Sequence, residues 1–183
     1  MSPRADALRN RAKVLTAADE VFLEQGTTAS TEEVARRAGV GVGTVFRHFP
    51  TKEALLEAVY LERLRQVGAD AAELATRDDA GSAFHEFFER LVGQSGPKQA
   101  LTEALAAEGV DVADTDSPVR QEVRESLATL LERAQQAGRV REDVGVDEVI
   151  ALLIGASQAT RWTTDVSMRG RTLNVILDGL RPH

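Results

Sequence analysis

At 183 residues, 43% of them hydrophobic, the chain is long enough to bury a sizeable core as one or two domains. It has no cysteine, which excludes disulfides, thiol catalysis and cysteine metal sites and fits a reducing compartment. A net charge of −7 argues against a nucleic-acid partner for the chain as a whole, but residues 1–52 hold eight Lys and Arg against six Asp and Glu while the remainder holds 14 against 23, so only the N-terminal part suits a polyanion.

Helix formers dominate and no run alternates apolar with polar residues, so an all-α protein is expected. The longest apolar run, Val149–Ala156, is too short to span a bilayer, and the opening MSPR begins no signal-peptide pattern. These features predict a cytoplasmic protein with no membrane partner. The first helix is predicted over residues 6–25, where Leu8, Ala12, Leu15, Ala18, Val21 and Phe22 recur on one face and Gly26 supplies the stop. Arg4, Arg9, Arg11 and Lys13 give its start a basic, solvated surface.

From Ser30 to Lys52 the chain reads as two short helices joined by a tight turn. Ser30 and Glu33 match the S-x-x-E capping box, in which the hydroxyl caps the helix and the carboxylate reaches back to the capping backbone. Gly39 ends that helix; Val42–Phe49 forms the next, stopped by Pro50, which disfavours helical geometry at the residue before it. Ala35, Gly39 and Val45 suit a helix-turn-helix: a small residue where the helices touch, a glycine for the turn and a branched apolar residue between them. An ordinary helix pair in an all-α core would share this spacing.

Thr51 caps a fourth helix, to about residue 75, whose apolar positions Leu55, Leu56, Val59, Tyr60, Val67, Ala71 and Leu74 continue for some six turns. Its length suits an element shared between an N-terminal head and a larger body. Phe84, Phe87, Phe88, Leu91 and Val92 mark the next helix, which Gly96 and Pro97 break before a shorter one from about Lys98 to Ala107. Gly109–Asp116, with three aspartates, predicts an acidic surface loop. Ser117, with Pro118 at the first helical position, opens a helix carrying Val119, Val123, Leu127, Leu130, Leu131 and Ala134 and ending at Gly138.

Asp147 opens a helix in which Val149, Ile150, Leu152, Leu153 and Ile154 surround Gly155 and Ala156 so fully that more than one face must be buried. One face suits the core and the other requires a partner. The last helix carries Leu173, Ile176, Leu177 and Leu180. Ile154, Gly155, Ala159, Leu173, Ile176 and Leu180 are therefore the candidate dimer contacts, with Gly155 and Ala159 allowing close helix approach.

The stretch GVGVGTVFRHFPTKEALLEAV, Gly39–Val59, closes its helix-turn-helix with aromatic-x-His-Phe and follows it with a Lys that begins the next helix. It resembles the tetracycline-repressor-like (TetR) family of bacterial transcriptional regulators over roughly residues 8–65. The resemblance implies an N-terminal three-helix DNA-binding domain over residues 1–52. The long fourth helix would join it to an all-helical effector-binding and dimerisation domain over 53–183. It further implies a homodimer whose recognition helices enter successive major grooves of palindromic double-stranded operator DNA, about 34–36 Å apart, and a small-molecule effector, unidentified, that releases the DNA. A repressor is the expected form of regulator.

Phosphate contacts position such a reader and base contacts specify it. Lys52 joins an ammonium to the positive end of a helix dipole and suits phosphate. Thr44 and His48, one turn apart, can donate to phosphate as the matching family positions do, and Thr31 at the start of the preceding helix is a further backbone contact. Arg47 suits a base, since guanidinium donates to both O6 and N7 of guanine. Val42 and Gly43 are small enough for close approach, with Val42 placed for a thymine methyl. Phe46 stands where the family usually has tyrosine and so lacks one phosphate donor.

Phe84, Phe87, Phe88, Leu91, Leu127, Leu130, Leu131, Leu153 and Trp162 are candidates for an effector pocket, though helical spacing predicts core for them equally well. His85 and Glu89 lie four apart, but three histidines in the whole chain, one in the head and one at the C-terminus, make no metal site. Neither a cofactor nor catalysis is expected, since no paired carboxylates, Ser-His-Asp set or Gly-rich phosphate loop appears with supporting context. A helical enzyme with an incidental helix-turn-helix and a protein-interaction module are the competing readings.

Overall fold

The computed structural model of the protein describes residues 3–93, 95–107, 117–159 and 165–182. Its helices are α1 (Pro3–Gln25), α2 (Thr31–Ala38), α3 (Val42–His48), α4 (Lys52–Leu74), α5 (Ala80–Gly93), α6 (Ser95–Ala107), α7 (Pro118–Gln136), α8 (Val146–Ala159) and α9 (Val166–Gly179). Among the described residues there is no strand, and no helix is long and apolar enough to cross a membrane. The acidic loop expected over 109–116 lies outside the described residues. The break expected at Gly96 and Pro97 is corrected: α6 begins at Ser95 and takes both into its first turn, where proline's missing N–H leaves no helical bond unmade.

The chain divides into two compact units, Met1–Arg63 with Pro97–Asp114, and Leu64–Gly96 with Thr115–His183. In the first, Val14, Ala18 and Val21 of α1, Val34 of α2, Val45 of α3 and Leu55 and Val59 of α4 bury their side chains together. Leu101 and Leu105 of α6 complete this core. Arg63 of α4 pairs with Asp19 of α1 while mostly buried. In the second unit Phe84, Phe87 and Phe88 of α5 pack with Leu127, Leu130 and Leu131 of α7 and Val149 and Leu153 of α8, and Val67, Ala71 and Leu74 of α4 join them. At Gly68 of α4 a Cβ would meet the Val123 side chain at 3.2 Å, so the glycine lets α4 and α7 approach closely.

α1 and α2 are clamped at the surface. The Arg37 guanidinium donates to Glu24 at 2.7 and 3.1 Å and to Glu20 at 3.4 Å. The hydrogen bond from Arg37 holds the Glu24 carboxyl below its ordinary value of 4.5, and that from Arg36 does the same for Glu33. A depressed carboxylate contributes stability that is present above its unfolded value and lost as pH falls through its folded value. The stability difference between wild type and Glu24→Gln is accordingly expected to be small but measurable at neutral pH and to shrink as pH falls below 4.5 and through the folded value, checked by thermal denaturation across a pH series.

Candidate nucleic-acid interface

The helix-turn-helix is built by local signals. Ser30 adopts extended backbone and its hydroxyl accepts from the Glu33 N–H at 3.2 Å, capping α2. The reciprocal half of the capping box is not made, because the Glu33 carboxylate is taken up by Arg36 at 2.5 and 2.8 Å. Gly39 has φ 67°, the left-handed region in which a Cβ is strained, and its N–H and that of Val40 return to the last carbonyls of α2. Thr51 caps α4 by accepting from the Ala54 N–H at 3.1 Å, which leaves Lys52 as that helix's first residue.

α3 is positioned by Val45, fully buried, and by Phe49, which follows the helix and is 3% exposed. The ring of Phe49 lies 6.4 Å from that of His48 and under the Arg11 guanidinium, 5.1 Å from its centroid, so a cation from α1 is fixed beside the end of α3. Sequence reasoning found Arg11 only as one of a basic set; its ring partner lies 38 positions on, beyond any local signal. Arg9 is instead paired with Asp6, and the side chain of Arg4 lies outside the described residues.

Val42, Gly43, Phe46 and Arg47 are exposed, while Thr44, His48 and Lys52 are half-buried, all on or beside α3. No hydrogen bond or ion pair engages Arg47 among the described residues, so its guanidinium has its donors available. Thr31 departs from expectation: its side chain is only 8% exposed at the start of α2, where it packs into the first unit.

Of the expected pocket residues, Phe84, Phe87, Phe88, Leu127, Leu130, Leu131 and Leu153 fill the core of the second unit, with Leu91 packed against it, and Trp162 lies outside the described residues. A cavity of about 550 Å³ opens elsewhere in that unit, lined by Asp79, Gly81, Ser82, Phe84, His85, Gly138, Arg139, Val140, Leu177, Leu180, Arg181 and Pro182. Phe84 alone among the expected residues borders it. Its walls come from three distant segments, so no spacing marks them. The carboxyl of Asp79, at its rim, is held below its ordinary value by the Ser82 N–H, then by the Ser82 hydroxyl, with Arg139 adding to the effect. His85 bonds Glu89 at 3.2 Å, and no group of three or more potential metal ligands forms among the described residues.

On α8, Val149, Leu153 and Ala156 face the core, whereas Ala151, Ile154, Gly155, Gln158 and Ala159 share an exposed face. Ile154 is 59% exposed and, on α9, Val175 is 72% exposed. Leu173 and Ile176 are half-buried against the chain's own core. Leu180, expected as a dimer contact, is corrected: it is 4% exposed, inside that core.

This arrangement of caps, turn and exposed α3 has counterparts. Residues 14–59 match the family described as bacterial regulatory proteins, tetR family, and residues 79–182 match the transcriptional regulator SbtR-like, C-terminal domain. The chain belongs to the TetR family. A TetR transcription regulatory protein from Mycobacterium vanbaalenii is similar at 38% identity and a TM-score of 0.78, over 99% of this chain and 100% of that one. The transcriptional regulator UidR of Escherichia coli strain K12 is 26% identical over 82% of this chain and 79% of its own length. The transcriptional repressor BepR of Brucella suis is 28% identical over 96% of this chain and 84% of its own. As a TetR-family member the protein is a DNA-binding transcriptional regulator, and its all-helical fold with an N-terminal helix-turn-helix is that of the family.

Proposed function

We propose that the protein is a non-enzymatic, cytoplasmic repressor that binds a palindromic operator as a homodimer and releases it when a small-molecule effector occupies the second unit. The observation that carries the DNA-binding part is α3 itself: an exposed helix whose outermost side chain, Arg47, is unpaired and whose neighbours His48, Thr44 and Lys52 offer donors for phosphate. The likeness to BepR, a repressor, supports repression. The bare face of α8, with small residues at 151, 155 and 159, supports dimerisation. The cavity around Phe84, Arg139 and Arg181 is the site we assign to the effector. α4, with residues in both units, is the element assigned to carry its signal, and a ligand can change DNA affinity only by its differential affinity for two arrangements of the protein.

The contacts divide by role. Arg47→Ala is expected to cost about 1–3 kcal/mol at one base pair of each half-site and to relax preference there. Lys52→Ala is expected to weaken all sequences alike and to reduce the salt slope of binding by about one. Selection of bound duplexes from a random pool, followed by titration of both variants over a salt series, tests this. Identical behaviour of the two would defeat the division, and failure to select any sequence would defeat the proposed function.

A further inference from the structure

The short helix α3 presents two flanks of opposite chemistry. At about 100° per residue, the buried pair Val45 and Phe49 fixes the direction of the core, and Gly43 and Arg47 point away from it. Thr44 and His48 line one flank, with a hydroxyl and an imidazole. Val42 and Phe46 line the other, four apart on one face, and carry no polar side-chain atom. They are nevertheless 39% and 43% exposed. Phe46 is the larger of the two and has no hydroxyl to give to phosphate. The described residues of the first unit cover this pair only in part, although Val45 and Phe49 of the same turns are fully packed.

A major groove offers such a pair one apolar partner, the C5-methyl group of thymine. Resting on the assignment of α3 as the recognition helix, we propose that Val42 and Phe46 form a methyl-reading edge, and that each operator half-site sets a thymine against it beside the base taken by Arg47. The readout of this regulator is then half hydrophobic. Arg47 selects through its donors, and Val42 and Phe46 select by excluding water from a methyl group. The Thr44 and His48 flank faces the opposite way and serves the backbone.

Removing only the methyl groups tests this. A duplex selected by the protein from a random-sequence pool is compared with its counterpart in which every thymine is deoxyuridine, at one salt concentration, with wild type and with Phe46→Ala. Burial of one methyl is worth roughly a threefold to fourfold change in binding constant, so a dimer on two half-sites is expected to lose about tenfold on the deoxyuridine duplex. Phe46→Ala, an exposed change whose folding is checked by circular dichroism, is expected to lose most of that difference, with only Val42 left on the edge, and to bind near the wild-type level on deoxyuridine. Equal wild-type affinity for the two duplexes, with the selected sequence still preferred over a scrambled one, overturns the methyl-reading edge and leaves the DNA-binding assignment standing. A Phe46→Ala protein that keeps the tenfold loss assigns it to DNA shape and overturns the edge as well. Half-sites selected without thymine overturn it too, and failure to select any sequence overturns both proposals.

Discussion

Gly155→Asp is expected to leave the chain folded, to yield a monomer and to lower operator affinity about a hundredfold or more. A Cβ at Gly155 meets no atom within 4 Å, so the substitution removes no contact inside its own chain, and Gly and Asp are both weak helix formers. The cost arises only when a second copy packs on α8. There Ala151, Gly155 and Ala159 recur every fourth residue on the exposed face, with Ile154 beside them, and allow two backbones to come close. A carboxylate at the centre of that contact is desolvated without a partner, which disfavours association strongly. Loss of the dimer makes the second half-site a separate binding event, forfeiting an effective-concentration gain of about 10²–10⁴. Sedimentation equilibrium and operator titration on the same protein check both steps. A variant that remains a dimer with full affinity would place the interface away from α8.

What was legible in the sequence was what is decided within a few residues. The Ser30 cap, the left-handed Gly39, the Pro50 stop and the Thr51 cap each stand where local chemistry predicts them, and together they define the helix-turn-helix. The capping box was half legible: the Glu33 carboxylate has Arg36 and Gln25 within reach besides the capping backbone, and the guanidinium of Arg36 outcompetes a backbone N–H by being charged. Periodicity marked much of the buried face of the long helices but not what covers it, and in α1 it took in Leu8, which is 67% exposed, while missing Val14, which is fully buried. Leu180 has the spacing of a surface seam and is core, while Ile154 lies within an apolar run and is 59% exposed. The cavity was invisible for the same reason, since Asp79, Arg139 and Arg181 meet only after three segments have folded. Resemblance supplied the DNA-facing role proposed for α3, which spacing alone would have left as part of an ordinary helix pair.

Leu105→Ala is expected to destabilise the DNA-binding unit by about 2–5 kcal/mol. For a chain of this length that lowers the thermal midpoint by roughly 2–4 °C per kcal/mol. The sequence divides the chain at residue 52, yet Leu105 is fully buried and Leu101 is 1% exposed among the apolar side chains of α1, α2, α3 and α4. α6 is thus a structural part of the unit that carries α3, although 31 residues beyond Arg63 separate it in the chain from α4's share of that unit, up to Ser95. Truncating Leu105 opens a cavity lined by rigid helices that collapse only in part. Leu130→Ala, in the core of the second unit at 1% exposed, is the matched control of similar chemistry. Native-state hydrogen exchange separates them: Leu105→Ala is expected to speed exchange across α1 and α2 and to weaken operator binding when the chain is warmed, while Leu130→Ala speeds exchange across α5 and α7. If both variants loosen the same helices, the two cores behave as one cooperative body. If Leu105→Ala leaves α1 and α2 protected, α6 contributes nothing to the head. The expected outcome, a head weakened from α6, means that any ligand reshaping α6 acts on α3 through packed side chains, alongside the route assigned to α4.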